Sequence, residues 1–246
     1  MKKRFMVVAL LVATVGSVQA AGPVTAQQLD KVFENYDKVS PSGWGESSRP
    51  QNVLSAAERR DGWHLLFDGK TLAPWRAAES KDSFAVKDGL LVVKGKRGHL
   101  FYAGPVKAAR FKNFHFKADV LTKPKANSGL YFHTAFQAKG WPRQGYEAQV
   151  NNSGKDPKRT GGLYGAANNM GPVAKDNTWF HYEIIVSGTH VVLKIDGKTI
   201  TDYNEAQDVD FPGWPGRRLS EGTFAIQAHD PGSEVHYRNI KVKPLD

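Results

Sequence analysis

The chain contains no cysteine. That excludes disulfides and an N-terminal lipid-modified cysteine. Without cross-links, stability has to come from a core, and 246 residues are enough to bury one. No stretch reaches the ~18 consecutive apolar residues of a retained membrane span, so none is expected. There is no His-x-x-x-His and no carboxylate-rich loop, so no metal is expected; spacing does not argue for Ca²⁺, although Asp156, Asp176 and Asp230 could meet around one in three dimensions. No glycine-rich phosphate loop or dinucleotide fingerprint occurs, so no cofactor is expected. After Gly62 no long segment has a helical period of 3.6, which excludes a helical domain.

The first twenty residues have the pattern of a cleavable export signal. Lys2, Lys3 and Arg4 precede the apolar run Phe5–Val15, and Val18-Gln-Ala20 fits the small residues of a cleavage site. The expectation is a secreted or periplasmic protein. The formal charge is +10, and loss of the three leader charges leaves about +7. Basic residues lie scattered over turns (Lys94–Arg97, Lys155–Arg159, Arg217–Arg218). They lack the clustered, aromatic-interleaved pattern of a nucleic-acid surface, so contact with anionic envelope surfaces is the reading for the excess charge.

Residues 21–60 read as an N-terminal extension rather than a domain. Val24–Tyr36 has helical spacing, Ser40–Gln51 reads as a linker, and Ser55-Ala-Ala-Glu58 has the form of a capping box. From residue 61 to 246 the chain changes to short apolar alternations punctuated by Asp-Gly turns at 68–69, 88–89 and 196–197. Eleven strands are predicted: Trp63–Phe67, Phe84–Lys87, Leu90–Lys94, Phe111–Leu121, Gly129–Ala135, Tyr146–Val150, Trp179–Ser187, His190–Ile195, Lys198–Tyr203, Thr223–Ala228 and Val235–Lys243. These imply an all-β fold, a two-sheet antiparallel jelly-roll sandwich with a short helical N-terminal extension. Ser153–Ala174, rich in Gly, Asn and Lys, reads as a long functional loop.

Three predicted strands carry polar groups at every second position, and positions two apart share a face. The first offers Tyr131 and His133, the second Glu147, Gln149 and Asn151, the third Gln227 and His229. Such strands suit the floor of a site for a polar solute. Glu147 is the one carboxylate among these faces and the first candidate base; its alternative is an ion pair with Arg143, Arg238 or a lysine. His229 is the candidate acid, since imidazole titrates near neutrality, or else a strand-end histidine. His133 is a weaker candidate for the same role. Gln149 and Gln227 can fix hydroxyls with their amides. Asn127 and Ser128 suit a turn as well as a ligand role, and Tyr164 can stack on a sugar or pack its loop down. Trp141 and Trp214 read as loop anchors or sugar platforms, and Arg238 as a structural ion-pair partner or a ligand group.

Several motifs carry a resemblance. Gly62-Trp-His-Leu-Leu-Phe-Asp-Gly-Lys-Thr-Leu-Ala-Pro-Trp75, Asn127-Ser-Gly-Leu-Tyr-Phe132, Gly145-Tyr-Glu-Ala-Gln149, Thr160-Gly-Gly-Leu-Tyr-Gly165, Ile226-Gln-Ala-His229 and Val235-His-Tyr-Arg-Asn-Ile240 occur in order over roughly residues 61–245. Together they resemble the 3-keto-disaccharide hydrolase domain family. The resemblance implies a concanavalin A-like sandwich and action on sugars oxidised at carbon 3. Departures stand at Asn151, where Asp is frequent, at His133, where Arg is common, and at Asp230, where Gly often follows the histidine. They keep open a second reading, a non-catalytic carbohydrate-binding sandwich of the envelope. A third, a lyase on acidic glycans, rests on the positive charge. In each case the partner is a carbohydrate.

Overall fold

The computed structural model describes residues 51–245. The expected leader, the helix over 24–36 and nearly all of the linker lie outside the described residues. A short helix, α1 (Ala56–Arg60), opens the described chain. Ser55 caps it: its side chain accepts from Glu58 N–H, and Glu58 reaches back to Ser55 N–H. Lys241–Glu58 and Lys243–Asp61 ion pairs tie this segment to the last strand.

Fifteen strands follow. They are β1 (His64–Leu65), β2 (Trp75–Glu79), β3 (Phe84–Lys87), β4 (Leu90–Lys94), β5 (Gly98–Tyr102), β6 (Phe114–Thr122), β7 (Ser128–Thr134), β8 (Tyr146–Val150), β9 (Arg159–Leu163), β10 (Ala167–Asn169), β11 (Phe180–Ser187), β12 (His190–Ile195), β13 (Lys198–Asn204), β14 (Thr223–Ala228) and β15 (Glu234–Pro244). They form two antiparallel sheets packed as a sandwich. One runs β13-β12-β11-β6-β15-β4-β3, with β1 also on β15; the other runs β10-β9-β8-β7-β14-β5-β2. The second sheet carries the site and is called the site sheet.

Alternation builds the core between them. Phe114, Phe116, Ala118 and Val120 of β6 and Tyr182, Ile184 and Val186 of β11 face Leu130, Phe132, Tyr146, Ala148, Phe224 and Ile226 of the site sheet. Phe224 is the keystone: its ring lies 4.6 Å from Phe111, 4.8 Å from Phe114 and 4.9 Å from Phe116, centroid to centroid. Truncating such a ring costs about 3–5 kcal/mol.

Four observed strands are absent from the sequence expectation, and each lacked the alternating signal. β2 (WRAAE) is rich in helix-favouring residues, β5 is buried at all five positions, β9 contains two glycines, and β10 has three residues. The segment Ser153–Ala174, expected to be one loop, therefore contributes two strands to the site sheet. Conversely, Trp63–Phe67 pairs only over two residues, and Phe111 forms an isolated bridge to Gly222 ahead of β6.

Candidate active site

β7 lies between β8 and β14, and this adjacency brings the three polar faces together. Tyr131 is in register with Glu147 on one side and with Ala225 on the other. Tyr146, Ala148, Phe224 and Ile226 enter the core, so Glu147, Gln149, Tyr131 and Gln227 stand on the outer surface. Loops at 141–142, 156, 164 and 214–217 rise over that surface. The result is a cavity of about 140 Å³ lined by Asn127, Tyr131, Glu147, Gln149, Gln227 and His229, with Trp141, Pro142, Asp156, Tyr164, Trp214 and Arg217 as its walls.

Glu147 sits at the bottom, 7% exposed. Tyr131 donates to its Oε2 at 2.9 Å and Gln227 Nε2 donates to its Oε1, also at 2.9 Å. Gln227 Nε2 also lies 3.0 Å from the Tyr131 hydroxyl, closing a triangle. Desolvation pushes the Glu147 carboxyl up to about 7, against the downward pull of Tyr131, the Arg217 charge and Gln227. Burial beside this carboxylate raises the Tyr131 hydroxyl well above its usual range. Among the described residues Glu147 thus makes none of the ion pairs open to it in the sequence, with Arg143, with Arg238 or with a lysine.

His229 leaves the end of β14 two residues after Gln227 and so keeps its face. Its Nδ1 lies 2.8 Å from Asp230 Oδ2, and Asp230 is itself held by Ser233 Oγ and Gly232 N–H. That pairing leaves Nε2 for the cavity. The His229 ring stacks obliquely on Trp141, centroids 5.3 Å apart.

Three side-chain oxygens near Glu147 are buried with no hydrogen-bond partner: Asn127 Oδ1, Gln149 Oε1 and Gln227 Oε1. Unpaired buried acceptors are costly. Three on one cavity surface are able to accept from hydroxyl donors such as those of a sugar. Tyr164 stands in the wall, its hydroxyl donating to Asp156 Oδ2 at 3.0 Å and Lys158 Nζ 3.8 Å from its ring centre.

Other expected site residues lie elsewhere. His133 is turned away. Opposite β14 the register passes from Ala225↔Tyr131 to Thr223↔Thr134, so β7 carries one extra residue there. His133, at φ +54°, sits in that bulge, and the alternation inverts. Its ring packs against Phe114 and Phe132, Nε2 donates to Lys112 O, and Nδ1 accepts from Ser220 N–H. Both ring nitrogens are engaged, and burial lowers its pKa to about 4. Ser128 points into the core, bonded to Gln227 O and the Tyr237 hydroxyl. Asn151 organises its own loop, donating to Asp156 O and Lys158 O and accepting from Gly154 N–H. Arg238 lies on the outer face of the opposite sheet, 3.3 Å from Asp119 and stacked on Trp179.

Arg217, Asp156 and His99 lie at or beside the cavity but off the three polar strand faces that the sequence displays. Arg217 read as one of many turn charges, yet it donates to Tyr164 O at 2.7 Å and lies over the Trp214 ring at 4.2 Å. His99, opposite Gln227 on β5, is buried beneath Trp141 with its Nε2 unpaired and its pKa lowered to about 4 by desolvation. Only its odd position in a fully buried strand pointed outward. Asp156 and Asp230 serve hydrogen bonds to Tyr164 and His229, and Asp176 accepts from Thr122. Among the described residues no group of three or more His, Cys, Asp or Glu side chains could hold a metal. No helix among them is long and apolar enough to cross a membrane.

Comparisons with known proteins place the chain in a family and a fold. Residues 62–243 match the profile of the 3-keto-alpha-glucoside-1,2-lyase-like domain. A 3-keto-disaccharide hydrolase of Bacteroides thetaiotaomicron is 25% identical over 289 aligned positions, covering 96% of this chain and 95% of its own. A solved structure from Parabacteroides distasonis, proposed to be a glycosyl hydrolase, superposes with a TM-score of 0.69 at 22% identity, over 80% of this chain and 100% of its own. A Bacillus subtilis carbohydrate-binding module superposes with a TM-score of 0.51 at 15% identity, over 69% of this chain and 94% of its own. These superpositions bear out the expected two-sheet antiparallel sandwich fold.

Proposed function

We propose, from the premise that the chain belongs to the 3-keto-alpha-glucoside-1,2-lyase-like domain family, that it is an exported enzyme cleaving 3-keto-glycosides such as 3-keto-disaccharides. The observation that carries this reading is Glu147: a carboxylate with a pKa near 7 at the floor of a cavity that also receives His229. A base works best when its pKa lies near the working pH.

The chemistry follows from the substrate. A ketone at C3 acidifies the C2 hydrogen. Glu147 takes that proton, and the C2–H electron pair passes toward O3 as an enolate. Arg217, the cation in the wall, offsets the developing charge. Collapse of the enolate breaks the C1–O bond, and His229 Nε2 protonates the departing oxygen. In its protonated form the imidazole is steadied by Asp230 on Nδ1. Water then adds across the 1,2-unsaturated ketone, so the net change is hydrolysis. The Asn127, Gln149 and Gln227 oxygens accept from the ring hydroxyls. Two carboxylates flanking the scissile bond, the arrangement of ordinary glycosidases, are not needed.

The test is incubation of 3-keto-trehalose, 3-keto-sucrose and 3-keto-lactose with the protein in D₂O, parent sugars serving as controls. Cleavage with deuterium entering at C2 is expected only for the keto sugars. Saturable binding without exchange or product would convert the protein into a binding module and sink the enzyme reading.

A further inference from the structure

The cavity around Glu147 does not end at its tryptophans. Trp141, Pro142 and Trp214 form a wall shared with a second, larger cavity of about 690 Å³. At about 140 Å³ the first is well below the roughly 300–1,000 Å³ of ordinary ligand pockets. A glycoside seated over Glu147 and larger than this cavity finds the second cavity directly past these side chains. Trp141 and Trp214 are 42% and 48% exposed, although tryptophan normally buries its rings. Their faces offer stacking surfaces on that route.

The two cavities have opposite polar chemistry. The first is lined with unpaired acceptors. The second has no acidic residue in its lining and contains Lys139 and Arg143. Among the described residues neither cationic head makes an ion pair with a carboxylate. The nearby amide of Gln137 is already spent within its loop, donating to Lys139 O and Trp141 O and accepting from Arg143 N–H. Arg217, stacked on Trp214, adds a third cation at the junction. Of the acids nearby, Glu79 accepts from the Gly140 backbone and is paired with Arg97, and Asp230 is paired with His229. A ring stacked on tryptophan and bearing an anionic substituent fits this surface better than a neutral polyol.

We infer that the second cavity is a leaving-group subsite selecting glycosides whose departing ring carries an acid group, such as a uronic acid, through Lys139 and Arg143. The inference rests on the cleavage reaction proposed above, because it assigns the group that departs from C1.

A matched pair of substrates tests it: a 3-keto-glucosyl disaccharide with glucose as the leaving sugar, and its counterpart of the same linkage with glucuronate. The expected result is a kcat/KM about ten-fold higher for the acidic substrate. That ratio should fall toward one in a Lys139→Gln/Arg143→Gln variant and in high salt, which screens exposed charges. Equal kcat/KM for the two substrates in the wild-type protein, or a ratio unchanged by the double substitution, overturns the subsite. If neither substrate is cleaved, the reaction assignment fails, and binding decides the subsite separately. Methyl glucuronide should then bind the wild-type protein about ten-fold more tightly than the double variant, with methyl glucoside showing no such difference. Equal glucuronide affinities would reject the subsite whatever the turnover.

Discussion

Gly129 makes the room that Glu147 occupies. A β-carbon at position 129 would stand 2.8 Å from Glu147 Cγ and 2.9 Å from its Cδ. Real Cβ atoms almost never approach neighbours that closely. The bareness of β7 at this point lets the carboxyl lie flat on the sheet, between Tyr131 and Gln227.

Gly129→Ala should therefore displace Glu147 while leaving the sandwich folded. Overpacking of this kind costs about 1–3 kcal/mol. Turnover of a 3-keto-disaccharide should fall by about 100-fold, because misplacement by about 1 Å has that effect. Thermal melting and steady-state kinetics on the same preparation measure both; near-normal turnover would show that Glu147 is not held by this contact.

Glu147→Gln should abolish C2 exchange and turnover, yet stabilise the fold at alkaline pH. The folded-state pKa of about 7 lies above the usual 4.5. The stabilising contribution of the protonated carboxyl is full below about pH 4.5 and is lost as pH rises through about 7. A glutamine avoids that loss, so the variant should gain on the order of 2–4 kcal/mol at pH 8 and little at pH 4. Denaturant titrations at the two pH values measure this difference.

The pH dependence of kcat/KM should show an ascending limb near pH 7, as a base must lose its proton to act. The Arg217 charge pulls the Glu147 pKa down, so Arg217→Met should move that limb to higher pH as well as lowering the rate. A limb that stays in place in the variant would uncouple the two residues.

Asp230→Asn should lower kcat about ten-fold or more with little change in KM, since it frees a positioned imidazole rather than removing a sugar contact. The hydrogen bonds from Ser233 and Gly232 hold Asp230 in place. A KM effect alone would assign Asp230 to substrate binding instead.

Gln149→Met should do the reverse. It deletes an unpaired buried oxygen, whose desolvation costs about 1–3 kcal/mol, so the melting temperature should rise or hold. KM should increase by about ten-fold with kcat largely retained. An unchanged KM would remove Gln149 from the sugar contacts.

Much of this was legible in the chain itself. Strand parity is a local property of backbone geometry. The alternation of Tyr146, Ala148 and Val150 with Glu147 and Gln149, and of Phe224 and Ile226 with Gln227, therefore determined the inner and outer faces, and the Asp-Gly turns spaced the strands. The ordered motifs carried the family. What the sequence could not decide depended on residues far apart along the chain. A single extra residue in β7, visible only against its partner β14, sent His133 into the core. The folding-over of loops near 141, 164 and 217 turned Trp141, Tyr164 and Arg217 into walls. The position of β7 between β8 and β14 buried Glu147 and lifted its pKa. Desolvation comes from neighbours brought together by the fold, and no period along a sequence records which neighbours those will be.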